Sequence, residues 1–458
     1  MSKLIEARHP DPMRVVIVGG GVAAVEGLLA LRALAGAAVS IELIAPDEYF
    51  TFRPTSVGEP FGLGPPHRYP IADIAAEQNA RLVRDSFRAL DGAGRTLVTE
   101  GGGKIEFDAL LLAVGARRSP ALPGALTFTG SGDGGAFRSL LEELEKGHVR
   151  QLAFAVPTDV RWPMALYELA LLTAAHLAAH RVTGAELTFV THEQEPLGLF
   201  GQRASDSVRE LLAHAGISLR TSCSPEGFAD GVLTLDGQRD LEVGAVVALP
   251  SLDVPQLDGV PQGRRGFIPI NDHGKVDDLY RVYAAGDATW FPIKQGGVAA
   301  QQADAAAASI AAAAGADVTP RPFRPVLRGV LLTGGAPHYM RSEVGDRDQS
   351  SAAGPDALWW PPGKIAGRYL APYLARQNEL GSELADLEPV AGEPGRTEDH
   401  GAAVELALAA ADADARWRDY RGALRWLDVA EQLTVVLPAE YVEKRHEWMR
   451  ARDAALVG

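Results

Sequence analysis

Short apolar runs alternate with longer Ala/Leu-rich stretches through the first 320 residues. Met13–Val18 is an almost continuous apolar run, as expected for a strand buried on both faces of a parallel sheet. Val22–Ala35 reads as a helix and Val39–Ile44 as the next strand, which makes one strand–helix–strand unit. Asp108–Val114 is a further buried strand, closed by Gly115. A second unit starts with the strand Gln151–Val156. It continues through a helix over Ala165–Ala179, the strand Glu186–Val190, a helix over Arg203–Ala215 stopped by Gly216, and the strand Val243–Ala248. Val282–Ala285 is another apolar strand, and a long Ala-rich helix is predicted over Gly297–Ala314. The pattern predicts an α/β protein with parallel sheets.

Beyond residue 321 the texture changes. Pro320, Pro322 and Pro325 interrupt the chain; Val330–Leu332 reads as a strand and Ile365–Arg376 as a short helix. Residues 381–400 are acidic, carry Pro389 and Pro394, and suit a linker. The tail, roughly 403–456, is helical in pattern. Asp419-Tyr420-Arg421-Gly422-Ala423-Leu424, then Leu427, Ala430 and Pro438, follows the second helix of a tetratricopeptide repeat. A single such repeat cannot bury its apolar face alone, so it should dock on the body of the chain or on a partner.

The 458 residues suffice for two to four domains, and 47% of them are apolar. The net charge of −15 argues against nucleic acid as a partner. With Cys223 as the one cysteine, no internal disulfide can form. The polar N-terminal segment has no signal-peptide character, and no apolar stretch is long enough to span a membrane. The expected location is cytoplasmic.

Two motifs carry chemistry. Val15-Val16-Ile17-Val18-Gly19-Gly20-Gly21-Val22-Ala23-Ala24 is a strand running into G-x-G-x-x-A, the dinucleotide fingerprint. Gly19 permits the tight turn, Gly21 lets the backbone approach a pyrophosphate, and Ala24 allows close helix–strand packing. The helix start at Val22 and Ala23 offers free N–H groups to the phosphates. The second motif, Val282-Tyr283-Ala284-Ala285-Gly286-Asp287, puts a carboxylate after a strand, where it can accept hydrogen bonds from the ribityl chain of FAD. Downstream, Gly296, Gly297 and Val298 open the long helix, whose N-terminus would stabilise negative charge on the flavin ring, with Lys294 beside it. The carboxylate that usually ends the second strand is missing: Ala45 holds that place and Glu42 faces away. Asp47 or Glu48 can take over from the following loop.

With Val18-Gly19-Gly20-Gly21, Phe107-Asp108-Ala109-Leu110-Leu111-Leu112-Ala113-Val114-Gly115-Ala116 and Tyr283-Ala284-Ala285-Gly286-Asp287-Ala288, the chain resembles the FAD-dependent pyridine nucleotide–disulfide oxidoreductase superfamily over about residues 13–320. The resemblance implies two Rossmann-like domains: an FAD domain over 13–125 and 240–320, interrupted by an NAD(P)-type domain over 126–239. An interface region over 321–380, the linker and a helical tail over 401–458 would follow. It also implies noncovalent FAD, contacts from Ala113, Val114 and Gly115, and a flavin ring lined by Arg53, Pro54 and Lys294.

Two departures stand out. The segment Thr51-Phe52-Arg53-Pro54-Thr55-Ser56-Val57-Gly58 lacks the redox cysteine pair of disulfide reductases. After the strand at Gln151, Pro157-Thr158-Asp159-Val160-Arg161-Trp162-Pro163-Met164 replaces the glycine-rich loop, and proline removes N–H groups that a phosphate needs. NAD(P)H is therefore disfavoured. The Pro, Arg-x-Pro and Tyr167-Glu168 pattern is similar to the sulfide:quinone oxidoreductase, flavocytochrome c sulfide dehydrogenase and type II NADH dehydrogenase branch, again without its cysteines.

The expected activity is an FAD-dependent oxidoreductase passing electrons from a small donor to an acceptor such as a quinone. The alternative is an FAD-retaining electron-transfer or assembly protein whose tail, 401–458, binds a protein partner. No side chain stands out as a catalytic acid or base. The resemblance to type II NADH dehydrogenases implies that Gln301-Gln302 border a quinone site, the other reading being ordinary helix polars, and Trp359-Trp360 can wall the flavin or be core. His176 and His180 have metal-ligand spacing on a helix but show no third ligand, so no metal is expected. Cys223 reads as a structural thiol.

Overall fold

Val15, Val16, Ile17 and Val18 are all buried, so the first strand is apolar on both faces because both faces are covered. In this computed structural model, residues 11–91, 95–130, 132, 134–343, 351–378, 408, 411–412, 415–416, 420–433 and 437–457 are described. The strand Met13–Val18 sits at the centre of a five-stranded parallel sheet. The order is Val282–Ala284, Ala109–Leu112, Met13–Val18, Val39–Ile44, Ala80–Val83. Val18 pairs in register with Ile44 on one side and Leu112 on the other, and Leu112 with Ala284. The loops that begin at Gly19, Ala113 and Ala285 therefore leave the same carboxyl edge, the place where open α/β sheets bind ligands. The helix Val22–Ala35 covers one face and packs against the long helix Gly296–Ala313. Small residues on both, Ala23 and Ala30 against Ala299, Ala303 and Ala307, let the two backbones approach.

A second five-stranded parallel sheet runs Leu126–Thr127, Ala245–Ala248, Gln151–Ala155, Glu186–Val190, Ile217–Arg220. The helices Met164–Ala179 and Gln202–His214 belong to it, as predicted to within two residues. The pattern did not reveal the helix Gly134–Glu145, which buries Phe137, Leu141 and Leu144. Nor did it reveal two antiparallel meanders, one over Phe87–Leu90, Thr96–Thr99 and Lys104–Glu106, the other over Ser224–Ala229, Val232–Asp236 and Leu241–Glu242.

The C-terminal region adds an antiparallel sheet of Val326–Leu331, His338–Glu343 and Ala352–Gly354. The helix Leu370–Gln377 docks on Val22–Ala35, where buried Glu26 accepts hydrogen bonds from the Tyr369 and Leu370 amides at 2.8 and 2.7 Å. The linker expected over 381–400 lies outside the described residues. The tail contributes the helices Tyr420–Leu433 and Ala439–Val457. Its repeat-like face docks on its own chain: Leu424, Trp426, Leu427 and Ala430 join the apolar cluster of the second sheet. Asp419 lies outside the described residues. Among the described residues, no helix is long and apolar enough to cross a membrane.

Candidate functional site

The glycine loop is built for close approach. Gly19 has φ +130°, and a methyl there would lie 2.1 Å from the Ala113 carbonyl oxygen, so only glycine fits. A methyl at Gly21 would meet no protein atom within 4 Å. Gly21 is the N-cap of Val22–Ala35 and brings no side-chain cap, so the first N–H groups of this helix face open space. Uncapped donors beside a vacant approach are what a pyrophosphate requires.

From this loop a cavity of about 1240 Å³ extends across the carboxyl edge to the start of the long helix. Of the residues expected to hold a dinucleotide, Gly19, Gly21, Val22, Ala23, Asp47, Ala113, Val114, Gly115, Gly286, Asp287 and Gly296 line it, as do Arg53, Pro54 and Lys294. Glu42 pairs with Arg81 at 2.9 Å, away from the cavity, while Asp47 and Glu48 face it. Ala24, Gly297 and Val298 do not line it. Ala24 is wholly buried in the helix–sheet packing, and Gly297 is buried against the Gln295 side chain. The Val298 amide donates to Gln295 Oε1 at 3.0 Å, because Gln295 caps the long helix and satisfies the donor that a ligand would otherwise use.

The cavity is cationic in a chain of net charge −15. Arg53, Arg118 and Arg161 line it and make no side-chain hydrogen bond or ion pair among the described residues. Lys294 donates to the Thr289 carbonyl and lies over the Phe267 ring at 4.0 Å. Desolvation brings it down to about 7, against the pull of Asp287. Lys364, in a proline-rich stretch with no recognisable signal, donates to the Pro54 carbonyl at 3.0 Å and to buried Glu168. Burial raises the Glu168 carboxyl and Lys364 opposes the rise. Glu168 also accepts from the Leu332 amide at 2.9 Å. This pair ties three regions together at the cavity wall.

Of the two readings open for Trp359, the structure takes the core one. Trp359 is core: it meets Tyr339 edge-on at 5.4 Å and its indole donates to Gly363. Trp162, Trp290 and Trp426 line the cavity instead, and Trp426 reaches it from the tail to meet Trp290 at 5.4 Å. The glutamines are braces. Gln302 accepts from the Gly286 amide at 2.8 Å, and Gln301 exchanges two hydrogen bonds with the Val326 backbone. Cys223 is buried and its thiol donates to the Thr221 carbonyl.

At the corresponding loop of the second sheet, protein packs against the helix start, while Thr158, Asp159, Arg161 and Trp162 form part of the wall of the same cavity. A methyl at Gly329 would fall 2.3 Å from Met164 Cε and 2.8 Å from Phe200 Cζ, so the strand Val326–Leu331 sits directly on the first turn of the helix. Trp162 packs on Phe200 at 5.6 Å. Glu193, just past the second strand, where a dinucleotide's ribose would be read, spends its carboxylate inside the protein. It accepts from Tyr167 at 2.6 Å, Thr191 at 2.9 Å and the Leu197 amide at 3.1 Å, while desolvation pushes it up to about 7.

Residues 169–309 match the profile of the family described as pyridine nucleotide-disulphide oxidoreductase. The ferredoxin reductase component of a chlorobenzene dioxygenase from Cupriavidus sp. (strain PS12) is 28% identical over 296 residues, 62% of this chain and 68% of that protein. Among solved structures, the sulfide:quinone oxidoreductase of Aquifex aeolicus superposes with a TM-score of 0.66 at 18% identity, covering 75% of this chain and 87% of that one. A ferredoxin reductase from Rhodopseudomonas palustris gives 0.54 at 20%, covering 74% and 84%. These structural likenesses carry the fold, two Rossmann-like units with parallel sheets. With the family match, they agree with the oxidoreductase resemblance drawn from the motifs.

Proposed function

We propose that the chain is an FAD-dependent oxidoreductase that takes electrons from a small donor and passes them to a separate acceptor without a redox disulfide. The carrying observation is the continuous cavity from the uncapped helix start beside Gly21 to Asp287. Its residues fit FAD: an open glycine approach for the pyrophosphate, an acid at the ribityl position and a tightly closed turn at Gly19. FAD, when bound, supplies the electron-transfer chemistry that no side chain here provides.

The protein's part is binding, orientation and proton handling. The Val22 and Ala23 amides would hold the pyrophosphate, with Arg118 contributing charge, and Asp287 would accept from the ribityl hydroxyls. Lys364, anchored by Glu168, donates directly to the Pro54 carbonyl and so sets the wall beside the ring. Lys294, brought to about 7, is tuned to hold or release a proton at Nζ near neutrality. Trp162, Trp290 and Trp426 exclude water from the cavity end. The single cysteine supports electron transfer without a thiol relay, and the proline-bearing, glycine-free second loop with its covered helix start supports a donor other than a conventionally bound NAD(P)H. The relatives named for sulfide:quinone and ferredoxin chemistry make a quinone or a small redox protein the favoured acceptor class.

The test is anaerobic mixing of the flavin-loaded protein with NADH, NADPH or sulfide while following the visible flavin band. Bleaching by sulfide or another small reductant, with slow or no bleaching by either pyridine nucleotide, supports the proposal. Fast saturable bleaching by NADH or NADPH would replace the donor assignment. Protein that never retains flavin would end the proposal.

A second reading, an FAD-retaining protein that engages a partner through its tail, is favoured by one feature. Val442 and Met449, seven residues apart on the helix Ala439–Val457, are each 41% exposed. Charged substitutions at both positions should abolish a partner complex and leave flavin content unchanged.

A further inference from the structure

His176 and His180 gain in the fold the third donor that the sequence does not reveal. Glu145 ends the helix Gly134–Glu145, and His176 and His180 sit at the end of the helix Met164–Ala179. One ligand atom from each of the three lies within 4.8 Å of the others. We propose that Glu145, His176 and His180 form a binding site for a divalent transition-metal ion of the zinc class.

The hydrogen bonds set the histidine chemistry. His180 Nδ1 lies 2.9 Å from the His176 carbonyl oxygen, which can only accept, so Nδ1 carries the proton and Nε2 presents its lone pair. A ring nitrogen donating to a backbone carbonyl is the usual support of a metal-ligating histidine. His176 Nε2 is 2.6 Å from Glu145 Oε1, and the two imidazoles lie 4.1 Å apart, tilted by 31°. Zinc binds nitrogen and carboxylate oxygen at ~2.0–2.2 Å in tetrahedral geometry, which sets neighbouring ligands roughly 3.3 Å apart. The ion would therefore replace the Glu145–His176 hydrogen bond with an opening of under about 1 Å at that pair, and donors as far as 4.8 Å apart would close by up to about 1.5 Å through side-chain rotation.

Charge favours the ion. Two helix C-termini meet here and both present negative partial charge. Lys146, the adjacent cation, is held by Glu142 at 3.7 Å and Glu143 at 3.3 Å. Glu145 and His180 are exposed, so water can complete the coordination. An imidazole and carboxylate set suits zinc, with nickel and copper as competitors. His176 also meets the ring of Phe61, which ends the segment Arg53–Phe61 that carries Arg53 and Pro54 to the cavity.

The test uses tag-free, chelator-treated full-length protein, equilibrated with Zn²⁺ at neutral pH. Bound metal is measured by elemental analysis and affinity by competition with a chromophoric chelator. One Zn²⁺ per chain is expected, weakened at least ~10-fold by His180→Ala, by His176→Ala or by Glu145→Gln, in line with the loss of one ligand. His180→Ala leaves the Glu145–His176 contact intact, so its melting temperature without metal should match the parent. No stoichiometric zinc, or zinc binding that ignores all three substitutions, would overturn the proposal. The readout does not depend on flavin.

Discussion

The loops Gly19–Gly21 and Pro157–Pro163 each leave the end of a central parallel strand and enter a helix, at Val22 and at Met164. Neither helix start carries a side-chain cap, but at the first, protein atoms stay away: a methyl at Gly21 would meet nothing within 4 Å. At the second, Met164, Phe200 and Gly329 close the same approach with van der Waals contact, and the nearby carboxylate of Glu193 is already bonded three times. One topology thus holds an open glycine approach at one helix start and a packed apolar contact at the other. What differs is whether glycine or proline and large apolar residues follow the strand, since each proline lacks a backbone donor and the large side chains occupy the approach that glycine leaves open.

The strongest way to break this contrast is Gly19→Val. Left-handed backbone strain alone is worth roughly 1–3 kcal/mol, and the clash with Ala113 adds to it. The expected product has lost its flavin, read as visible absorbance per chain, with a lowered melting temperature. A yellow, stable variant would show that the turn does not need glycine.

Next in size is Asp287→Ala, which removes a charged acceptor and should weaken flavin retention about 10-fold or more, the ~1.5–3 kcal/mol of a charge-assisted hydrogen bond. The matched change in the second loop is Asp159→Ala, which breaks a partly exposed pair with Arg265 at 2.7 Å. Such a pair is worth about 0–1 kcal/mol, so flavin retention should hold. Equal losses in an equilibrium flavin titration would erase the distinction.

Lys294 sharpens the comparison through pH. In the flavin-free protein its folded value is about 7, set by desolvation, against an unfolded value of ~10.4. Between these values the unfolded chain binds more protons, so stability rises with pH, and the cost of burying the charge is fully present below about pH 7. Lys294→Met should therefore melt above the parent at pH 7, with the gap closing toward pH 10, at roughly 2–4 °C per kcal/mol. A gap independent of pH would mean that Lys294 does not titrate in this window.

The smallest effect belongs to Trp162→Ala. NADH-dependent bleaching should stay within ~2-fold of the parent, because Met164 and Gly329 still cover the helix start and no glycine loop is restored. Acquired NADH reduction would show that the tryptophan alone blocks the site.

Much of this was legible from local pattern. The Rossmann-like order, the two motifs at Gly19 and Asp287, the missing thiols and the proline-bearing second loop are all carried by neighbours in sequence. Elements with mixed composition escaped, such as the helix Gly134–Glu145 and the two meanders, because short half-exposed segments have no dominant period. That Val298 and Gly297 lie behind the cavity wall escaped for a similar reason: the cap from Gln295 is a side-chain choice that a glycine pattern does not report.

By itself the sequence determined which strands are buried on both faces, where glycine must turn the chain, and that no disulfide can carry electrons. These are properties of a residue and its few neighbours. Only the tertiary structure decided that Lys364 meets Glu168 from 196 positions away, that Trp426 reaches Trp290 from the tail, and that Glu145 joins two histidines across a helix pair. Those encounters depend on how separate elements pack, and packing is settled by the volume and burial of the whole assembly rather than by any local repeat.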